Sequence, residues 1–324
     1  NGGIRVISPI DDTPAQAAGI LPNDLIVRLD DRPVNRMSLA DAVGIMRGEP
    51  GTKIKLTIVR QGSDVPLVFT LTRAVIRIRS VRSYFLDDNF GYLRVTQFQT
   101  PTPELAREQI HELFKESNAM EGLVLDLRNN PGGELQSAVG VSDLFIDQGV
   151  IVKTRARNNT NEQVFNATPG DLAKGIPIVV LVNEGSASAS EIVAGALQDH
   201  NRAIIMGTQT FGKGSVQTIW SLDKETTLKL TTHLYYTPSD RSIQALGIVP
   251  DITIESRDLP ALEQEEVGRL READLEGSLD GEDLDDGLEE ENGSSLNPAV
   301  KEDYQLQEAL NLLKGLSIAR RQIG

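Results

Sequence analysis

Two residues of the chain have the types and surroundings of a nucleophile and its base. Ser188 is the middle serine of the run Gly-Ser-Ala-Ser-Ala-Ser-Glu at 185–191, which follows the apolar residues 179–182. A serine in a turn of small residues between a strand and a helix can keep its hydroxyl free while backbone N–H groups point at the group it attacks. Lys213 lies between two glycines in Phe-Gly-Lys-Gly-Ser at 211–215. Since lysine can replace histidine as the base beside a serine, the pair predicts a serine hydrolase that does not use histidine.

The choice of Lys213 as the base rests on the contexts of the other candidates and on its own neighbours. A serine hydroxyl needs a base to attack an amide. Three histidines lie in a predicted surface helix, at a helix end and in a strand, none beside a glycine-rich turn: His111, His200 and His233. Burial disfavours the charged form of a lysine. An apolar wall around the Lys213 amine would come from Phe211, Val216 and Trp220.

Gln217, four residues after Lys213, has a side-chain oxygen that could accept a hydrogen bond from the amine and orient it. In an extended strand the two residues would lie roughly 13 Å apart. We therefore predict a helical turn or bend between them. The flanking Gly212 and Gly214 would leave this segment free to move.

The surroundings of Ser188 also fit a purely structural role. Ser188 and Glu191 match the capping-box pattern, in which a serine caps a helix and a glutamate three residues later bonds back to it. From this local pattern alone, catalysis and capping both stay open. The pair Gly132-Gly133, which follows a predicted buried strand, shifts the balance towards catalysis.

Strands and helices alternate in the segment that must position these residues, 76–255. Strands are predicted at 91–95, 122–127 and 176–182, and helices at 104–117, at 135–144 and from Ser188 to about 199. This order is typical of a largely parallel sheet covered by helices. Ligands of such sheets bind at the carboxyl ends of the strands. Because Gly132-Gly133 and Ser188 both lie just past such ends, we expect the site there.

Residues 1–75 predict a small module of short strands, with a helix that Ser38 caps and a half-buried strand at 54–58. The segments 8–15 and 18–26 resemble a PDZ domain, a module that captures free chain ends as an added strand. The chain starts after the strand and loop that would hold the carboxylate. We therefore expect either a truncated piece or a loss of tail capture, and a small β-rich domain without a ligand stays an alternative.

Acidic residues are concentrated near the end of the chain. The net charge is −15, and residues 263–291 contain 14 acidic and 2 basic side chains. We predict a flexible linker at 256–296, whose spacing does not fit a calcium loop. A helix is predicted over 297–324, capped by Asn297 with Pro298 in its first turn. Its apolar stripe would dock on the parent domain or pair with another subunit: Leu306, Leu310 and Leu313.

Composition excludes several classes of protein. The negative charge argues against a general nucleic-acid binder. No cysteine is present, which excludes disulfides, zinc–thiolate sites and a cysteine nucleophile. No apolar run approaches the roughly 18 residues that cross a bilayer. We expect no metal and no cofactor.

Several motifs together resemble one family, the carboxyl-terminal processing, or tail-specific, serine proteases. The motifs are at 125–133 (Leu-Asp-Leu-Arg-Asn-Asn-Pro-Gly-Gly), 183–191, 211–217 and 247–251. The likeness covers residues 1 to about 255. It implies a PDZ domain followed by a protease core of the crotonase or Clp-protease type of α/β fold. It does not cover the acidic segment or the last helix.

The resemblance implies Ser188 as the nucleophile, Lys213 as the base and Gln217 as the residue that orients the base. Members of the family cleave exported proteins, often near an apolar C-terminus, and the bacterial ones act in the periplasm. Some form oligomers, and some work with lipoprotein adaptors. We therefore expect protein or peptide substrates, a periplasmic location, a homo-oligomer formed through terminal helices, and a signal segment that this chain does not include.

The expected reaction is acyl transfer. Lys213 would take the proton of Ser188 during attack and later protonate the leaving amine. The backbone N–H of Ala189 and that of Gly132 or Gly133 would stabilise the oxyanion.

Two other classes of function stay open. A non-enzymatic scaffold would bind partners without cutting, although the joint presence of Ser188, Lys213 and Gln217 argues against it. An enzyme acting on acyl thioesters would use the glycines, but it has no clear role for a serine–lysine pair.

Overall fold

Three sheets organise the chain in the computed structural model, which describes residues 2–7, 9–10, 13–76, 79–117, 119–156, 161–223, 226–257 and 297–323 of the 324. They have five, four and six strands. All but the first two residues of the predicted acidic linker, 256–296, lie outside the described residues. Within the described part, no helix combines the length and the apolar character that spanning a membrane requires.

The five-stranded sheet belongs to the N-terminal module. Its strands and helices, in chain order, are β1 Ile4–Arg5, α1 Pro14–Ala17, β2 Leu25–Leu29, β3 Arg32–Pro33, α2 Leu39–Met46, β4 Lys53–Val59 and β5 Leu67–Thr72. Ser38 caps α2, as predicted, because its hydroxyl accepts the Asp41 N–H at 3.1 Å. Alternate residues of β4 are buried, as the sequence pattern predicted: Ile54, Leu56 and Ile58.

The six-stranded sheet carries the predicted site. Its strands are β6 Val81–Asp87, β7 Phe90–Val95, β8 Gly122–Asp126, β11 Ile178–Val182, β12 Ile204–Gly207 and β15 Ile252–Thr253, in the order β15-β12-β11-β8-β7-β6. All neighbours pair in parallel except β6, which runs antiparallel to β7. This confirms the predicted, largely parallel sheet. Every residue of β8 and β11 is buried because helices cover both faces of the sheet.

On one face lie three helices, α3 Thr102–Glu116, α4 Leu135–Asp143 and α5 Ala189–Asp199, whose buried side chains share one core with the sheet. On the other face lie α6 Pro298–Glu302 and α7 Tyr304–Ile323. The apolar stripe of α7 packs there with sheet residues such as Tyr92, Val124 and Leu181. Of the two predicted uses of the stripe, the structure therefore shows docking on the chain's own sheet. A homo-oligomer formed through the terminal helices stays a prediction.

The C-terminal segment departs from the single helix that the sequence predicted. Asn297 does cap α6, since its side chain accepts the Ala299 N–H at 3.1 Å. The backbone is extended at Asp303, with φ −117° and ψ 101°, so α7 begins as a separate helix. The Asp303 carboxylate accepts the Leu306 N–H at 3.1 Å and so caps the new helix.

The third sheet is antiparallel and has four strands: β9 Val150–Ala156, β10 Gln163–Asn166, β13 Ser215–Ser221 and β14 Thr227–Tyr236, in the order β10-β9-β14-β13. Its strand β13 excludes the helical turn predicted between Lys213 and Gln217, because the chain pairs with β14 from Ser215 onward. A bulge between Val216 and Gln217 bends the strand, so the other predicted form, a bend, does occur in this segment. The ladder satisfies the backbone groups that a helical turn would otherwise have bonded internally.

Candidate active site

Ser188 lies where the turn after β11 enters helix α5, as the sequence predicted. Its backbone has φ 57° and ψ −109°, a combination outside the regions that side chains with a Cβ prefer. An ordinary helix cap has an extended backbone with negative φ. The strain costs about 1–3 kcal/mol and is typical of functional turns, including the strand–turn–helix elbow that presents a nucleophilic serine. The backbone at Ser188 therefore differs from that of a simple cap.

The glycine loop after β8 lies directly against this turn. A Cβ added to Gly132, whose φ is 97°, would lie 2.6 Å from the Ala187 carbonyl oxygen and 2.8 Å from the Ser188 Cβ. Only glycine allows this close approach. The structure thus brings the two predicted strand ends into contact.

The three predicted oxyanion donors differ in how they are engaged. The Gly132 N–H donates to the Asn130 side-chain oxygen at 2.9 Å. Ala189 is the first residue of α5, where backbone N–H groups have no partner within the helix. Gly133 has φ 149°, and a Cβ there would overlap the Phe98 carbonyl oxygen. Ala189 and Gly133 are therefore better donor candidates than Gly132.

Asn130 links the glycine loop to the serine turn. Its carbonyl oxygen accepts the Ala187 N–H at 2.9 Å and the Ser190 hydroxyl at 2.8 Å. Its side chain donates to the Val95 carbonyl oxygen at 2.8 Å. This completely buried asparagine holds strand β7, the loop and the start of α5 together.

Glu191 joins the serine turn to the lysine segment. Its completely buried carboxylate accepts four hydrogen bonds. One oxygen, Oε2, accepts the N–H groups of Ser188 at 2.7 Å and Lys213 at 2.9 Å. The other, Oε1, accepts the Gly212 N–H and the Thr210 hydroxyl, both at 2.6 Å. Burial raises the pKa of the Glu191 carboxyl, and the four donors oppose that rise by stabilising the charged form.

The sequence predicted only the contact of Glu191 within its own turn. The capping-box pattern predicted the bond between Glu191 and Ser188, which forms through the Ser188 N–H. The donors from residues 210–213 are about twenty positions away, and no local pattern indicates them. A further tie connects the same two segments, because the Phe211 N–H donates to the Ser186 carbonyl oxygen at 3.0 Å.

The lysine segment is tightly packed between its glycines. A Cβ on Gly212, whose φ is 85°, would lie 3.1 Å from the Ala245 carbonyl carbon, and one on Gly214 would overlap the Gln244 backbone. The two glycines therefore allow close packing of the backbone. The sequence predicted only that they would leave this segment free to move.

The predicted apolar wall around Lys213 is wrong for two of its three residues. Phe211 is 49% exposed and Trp220 is 43% exposed. Phe211 precedes β13, and Trp220 lies on the outer part of the β13–β14 hairpin, where its cross-strand neighbour Leu228 is also exposed. Gln217 is exposed on the same strand, and the described residues contain no hydrogen bond between Gln217 and Lys213. Gln217 as the orienting residue stays a prediction.

Comparison with known proteins places this geometry in a family. The model of peptidase family S41 matches residues 89–254, which include Ser188, Lys213 and the glycine loop, and a PDZ domain model matches residues 5–60. The chain belongs to peptidase family S41. It is therefore a serine peptidase by family, and the alternative of an inactive scaffold is not favoured.

Relatives of this S41 peptidase carry consistent names. It is 46% identical to the carboxy-terminal-processing protease of Bartonella bacilliformis over 97% of this chain and 72% of that protein. It is 38% identical to the carboxyl-terminal-processing protease of Synechocystis over 86% of this chain and 64% of that one. It is 37% identical to the carboxy-terminal processing protease CtpA of Bacillus subtilis over 81% of this chain and 55% of that protein. The chain thus spans between about half and three quarters of these relatives.

A solved structure shares the fold. The photosystem II D1 C-terminal processing protease superposes with a TM-score of 0.71 and 31% identity, over 79% of this chain and 69% of that one. This match confirms the predicted combination of a PDZ domain with an α/β protease core.

Proposed function

We propose that this S41 peptidase is an endopeptidase of the carboxyl-terminal-processing type, with Ser188 as the nucleophile and Lys213 as the general base. One observation supports the pair above all. A single carboxylate oxygen of Glu191 accepts the backbone N–H groups of both residues, so it ties the backbones at Ser188 and Lys213 to one acceptor. Two chain segments about twenty residues apart are thereby held together in a buried setting.

The proposed reaction is acyl transfer to serine. The Ser188 Oγ attacks the carbonyl carbon of the scissile bond while its proton passes to the Lys213 amine. The negative charge that develops on the carbonyl oxygen is stabilised by the N–H groups of Ala189 and Gly133. The protonated Lys213 then gives its proton to the leaving amine, and water hydrolyses the acyl-enzyme. Gln217 orients the lysine once substrate has brought the site into its working arrangement.

The substrate class follows from the names of the relatives. Proteins called carboxyl-terminal-processing proteases match this chain at 37–46% identity, so we propose that it cleaves proteins near their C-terminus. A periplasmic location, a lipoprotein adaptor and a homo-oligomer stay predictions that rest on the resemblance.

The test is proteolysis of an unfolded protein and of one peptide prepared with a free or an amidated C-terminus. Wild-type protein should cleave both substrates and prefer the free terminus. Ser188→Ala and Lys213→Ala should each abolish turnover with melting temperatures within a few degrees of wild type, and Gln217→Ala should reduce kcat. Cleavage by Ser188→Ala at a wild-type rate would show that another group is the nucleophile.

A further inference from the structure

Arg128 lies where β8 passes into the glycine loop, and its guanidinium is shared by two carboxylates. The Nε and Nη2 groups donate to Asp126 at 3.1 and 2.6 Å. The Nη1 and Nη2 groups donate to the two oxygens of Asp303 at 3.0 and 2.6 Å. The bond to Asp303 is a two-pronged, charge-assisted fork, the strongest geometry that an arginine forms with a carboxylate.

Asp303 belongs to the C-terminal segment, 175 positions further along the chain. It lies at the break between α6 and α7, where its extended backbone turns the carboxylate to the sheet. The neighbouring Gln305 side chain accepts a bond from Arg128 Nη1 at 3.1 Å and donates to the Ile254 carbonyl oxygen at 2.7 Å. Two side chains of one helix start therefore hold Arg128.

The charges at this junction are largely removed from water. The exposed fractions are 2% for Asp126 and 6% for Arg94, which also donates to Asp126 at 3.1 Å. Burial favours the neutral form of each group, yet the carboxylates of Asp126 and Asp303 raise the pKa of Arg128. Asp303, whose side chain is 31% exposed, thus supplies a second carboxylate to two guanidinium groups whose side chains are only 7% and 14% exposed, where an uncompensated charge would be costly.

A series of hydrogen bonds connects Arg128 with the turn that carries Ser188. The Arg128 N–H donates to Asp126 at 2.8 Å, and its carbonyl oxygen accepts a bond from Arg94. The next residue, Asn129, exchanges two bonds of 2.8 Å with Asn183, at the start of the serine turn. After it come Asn130 and the glycines that contact Ser188. A shift of Arg128 would therefore be passed to the glycine loop, which carries the proposed oxyanion donor Gly133.

We propose that Asp303 is a positioning residue of the peptidase: by clamping Arg128, the C-terminal segment holds the glycine loop in register with Ser188. This inference rests on the proposed function of Ser188 and the glycine loop. It makes the last helix part of the catalytic unit, although that helix lies outside the segment that the S41 family model matches.

The test compares two variants that each cut one ion pair between the C-terminal segment and the sheet. Asp303→Asn keeps the shape of the side chain and removes the fork to Arg128. Lys314→Gln removes the 2.5 Å pair between α7 and Asp87 of β6, which does not involve the glycine loop. We expect Asp303→Asn to lower kcat about tenfold with KM within about twofold of wild type, because a small misplacement at the site slows the chemical step. Asp303→Glu should recover most of the lost kcat, and Lys314→Gln should keep the wild-type value.

Equal kcat losses in Asp303→Asn and Lys314→Gln would overturn the inference, since both would then act only through docking of the helix. A wild-type kcat in Asp303→Asn would overturn it too. If Asp303→Asn does not fold, Gln305→Met removes the other contact to Arg128 and should lower kcat about threefold at unchanged KM; a wild-type kcat there overturns the inference. Ser188→Ala is measured in parallel to separate the two claims. Wild-type activity of Ser188→Ala would refute the proposed function. An inactive Ser188→Ala together with a fully active Asp303→Asn would refute only the positioning role of Asp303.

Discussion

Replacing Glu191 by glutamine tests whether one carboxylate aligns the nucleophile with its base. The carboxylate offers two acceptor oxygens to four donors, whereas an amide of the same shape offers one oxygen and an NH₂ group. With the NH₂ group on the side of Ser188 and Lys213, two backbone N–H groups lose their acceptor. With it on the other side, the Gly212 N–H loses its acceptor, and the Thr210 hydroxyl, which already accepts the Ile248 N–H at 2.7 Å, can accept from the amide only by turning its own O–H away from residue 191. Either orientation therefore leaves at least one backbone N–H of the lysine segment, that of Gly212 or Lys213, without its acceptor and loosens this segment.

The magnitude follows from that count. One buried backbone N–H without an acceptor costs about 1–3 kcal/mol. If the cost falls on the working arrangement of the site, kcat drops by about 5- to 150-fold. Folding stability should change less, because burial already penalises the charged form of Glu191, as its raised pKa indicates, and glutamine does not carry that penalty.

The assay is steady-state cleavage of a peptide by Glu191→Gln, with melting temperature measured on the same samples. We expect a lower kcat at nearly unchanged KM, and equal peptide affinity for Ser188→Ala with and without the second substitution. Glu184→Gln is the matched control, because Glu184 is an exposed glutamate of the same turn whose one hydrogen bond within the described part of the chain is to the Thr208 hydroxyl, at 3.1 Å. A Glu191→Gln enzyme that keeps more than half of the wild-type kcat would refute the alignment argument.

Two further predictions concern the glycine loop and the PDZ module. Gly132→Ala should reduce kcat by at least about 100-fold, because the added Cβ would meet the Ala187 backbone at a residue with positive φ. Gly170→Ala is the control and should stay active, since Gly170 has φ 136° but nothing within 4 Å of an added Cβ. Equal activities of the two variants would contradict the close-contact argument. Asp24 is buried, which alone would raise its pKa, but bonds from Arg60 at 2.7 and 2.8 Å lower it below 3.8. A carboxyl with a lowered pKa contributes stability above its ordinary pKa, and that contribution is lost as the pH falls below 3.8. The free energy of unfolding of the PDZ module, measured with urea, should therefore fall between pH 5 and 3 in wild type and fall less in Asp24→Asn. Equal falls in the two proteins would show that the pair of Asp24 and Arg60 contributes nothing.

Local patterns were sufficient for the parts of this fold that depend on neighbours in sequence. The cap at Ser38 and the alternation in β4 follow from spacing alone. The position of Ser188 beside Gly132 also followed, because carboxyl ends of parallel strands share one edge of a sheet. These features need no knowledge of which distant segments meet.

The errors arose where distant segments decide the local conformation. A helical turn or bend is predicted at 213–217, but from Ser215 onward the chain pairs with β14, and only the bulge between Val216 and Gln217 bends it. Trp220 is predicted to shield the lysine, but it lies on the outer part of the β13–β14 hairpin, opposite the exposed Leu228. The stripe of α7 follows from its spacing, whereas the partner of Asp303 at the break is an arginine 175 positions earlier. Spacing along the sequence carries no signal for such pairs.

Contacts between distant segments also explain how the site stays assembled despite the backbone strain at Ser188. The backbone at Ser188 is unfavourable by itself, so bonds from outside the turn must hold it. Glu191 brings residues 210–213 to the turn, and Asn130 brings the glycine loop. Arg128 extends the connection to the C-terminal segment through Asp303. Since each tie joins segments that are remote in sequence, the geometry of the nucleophile depends on the folded core as a whole. A substitution that frees one tie should therefore reduce catalysis before it unfolds the protein.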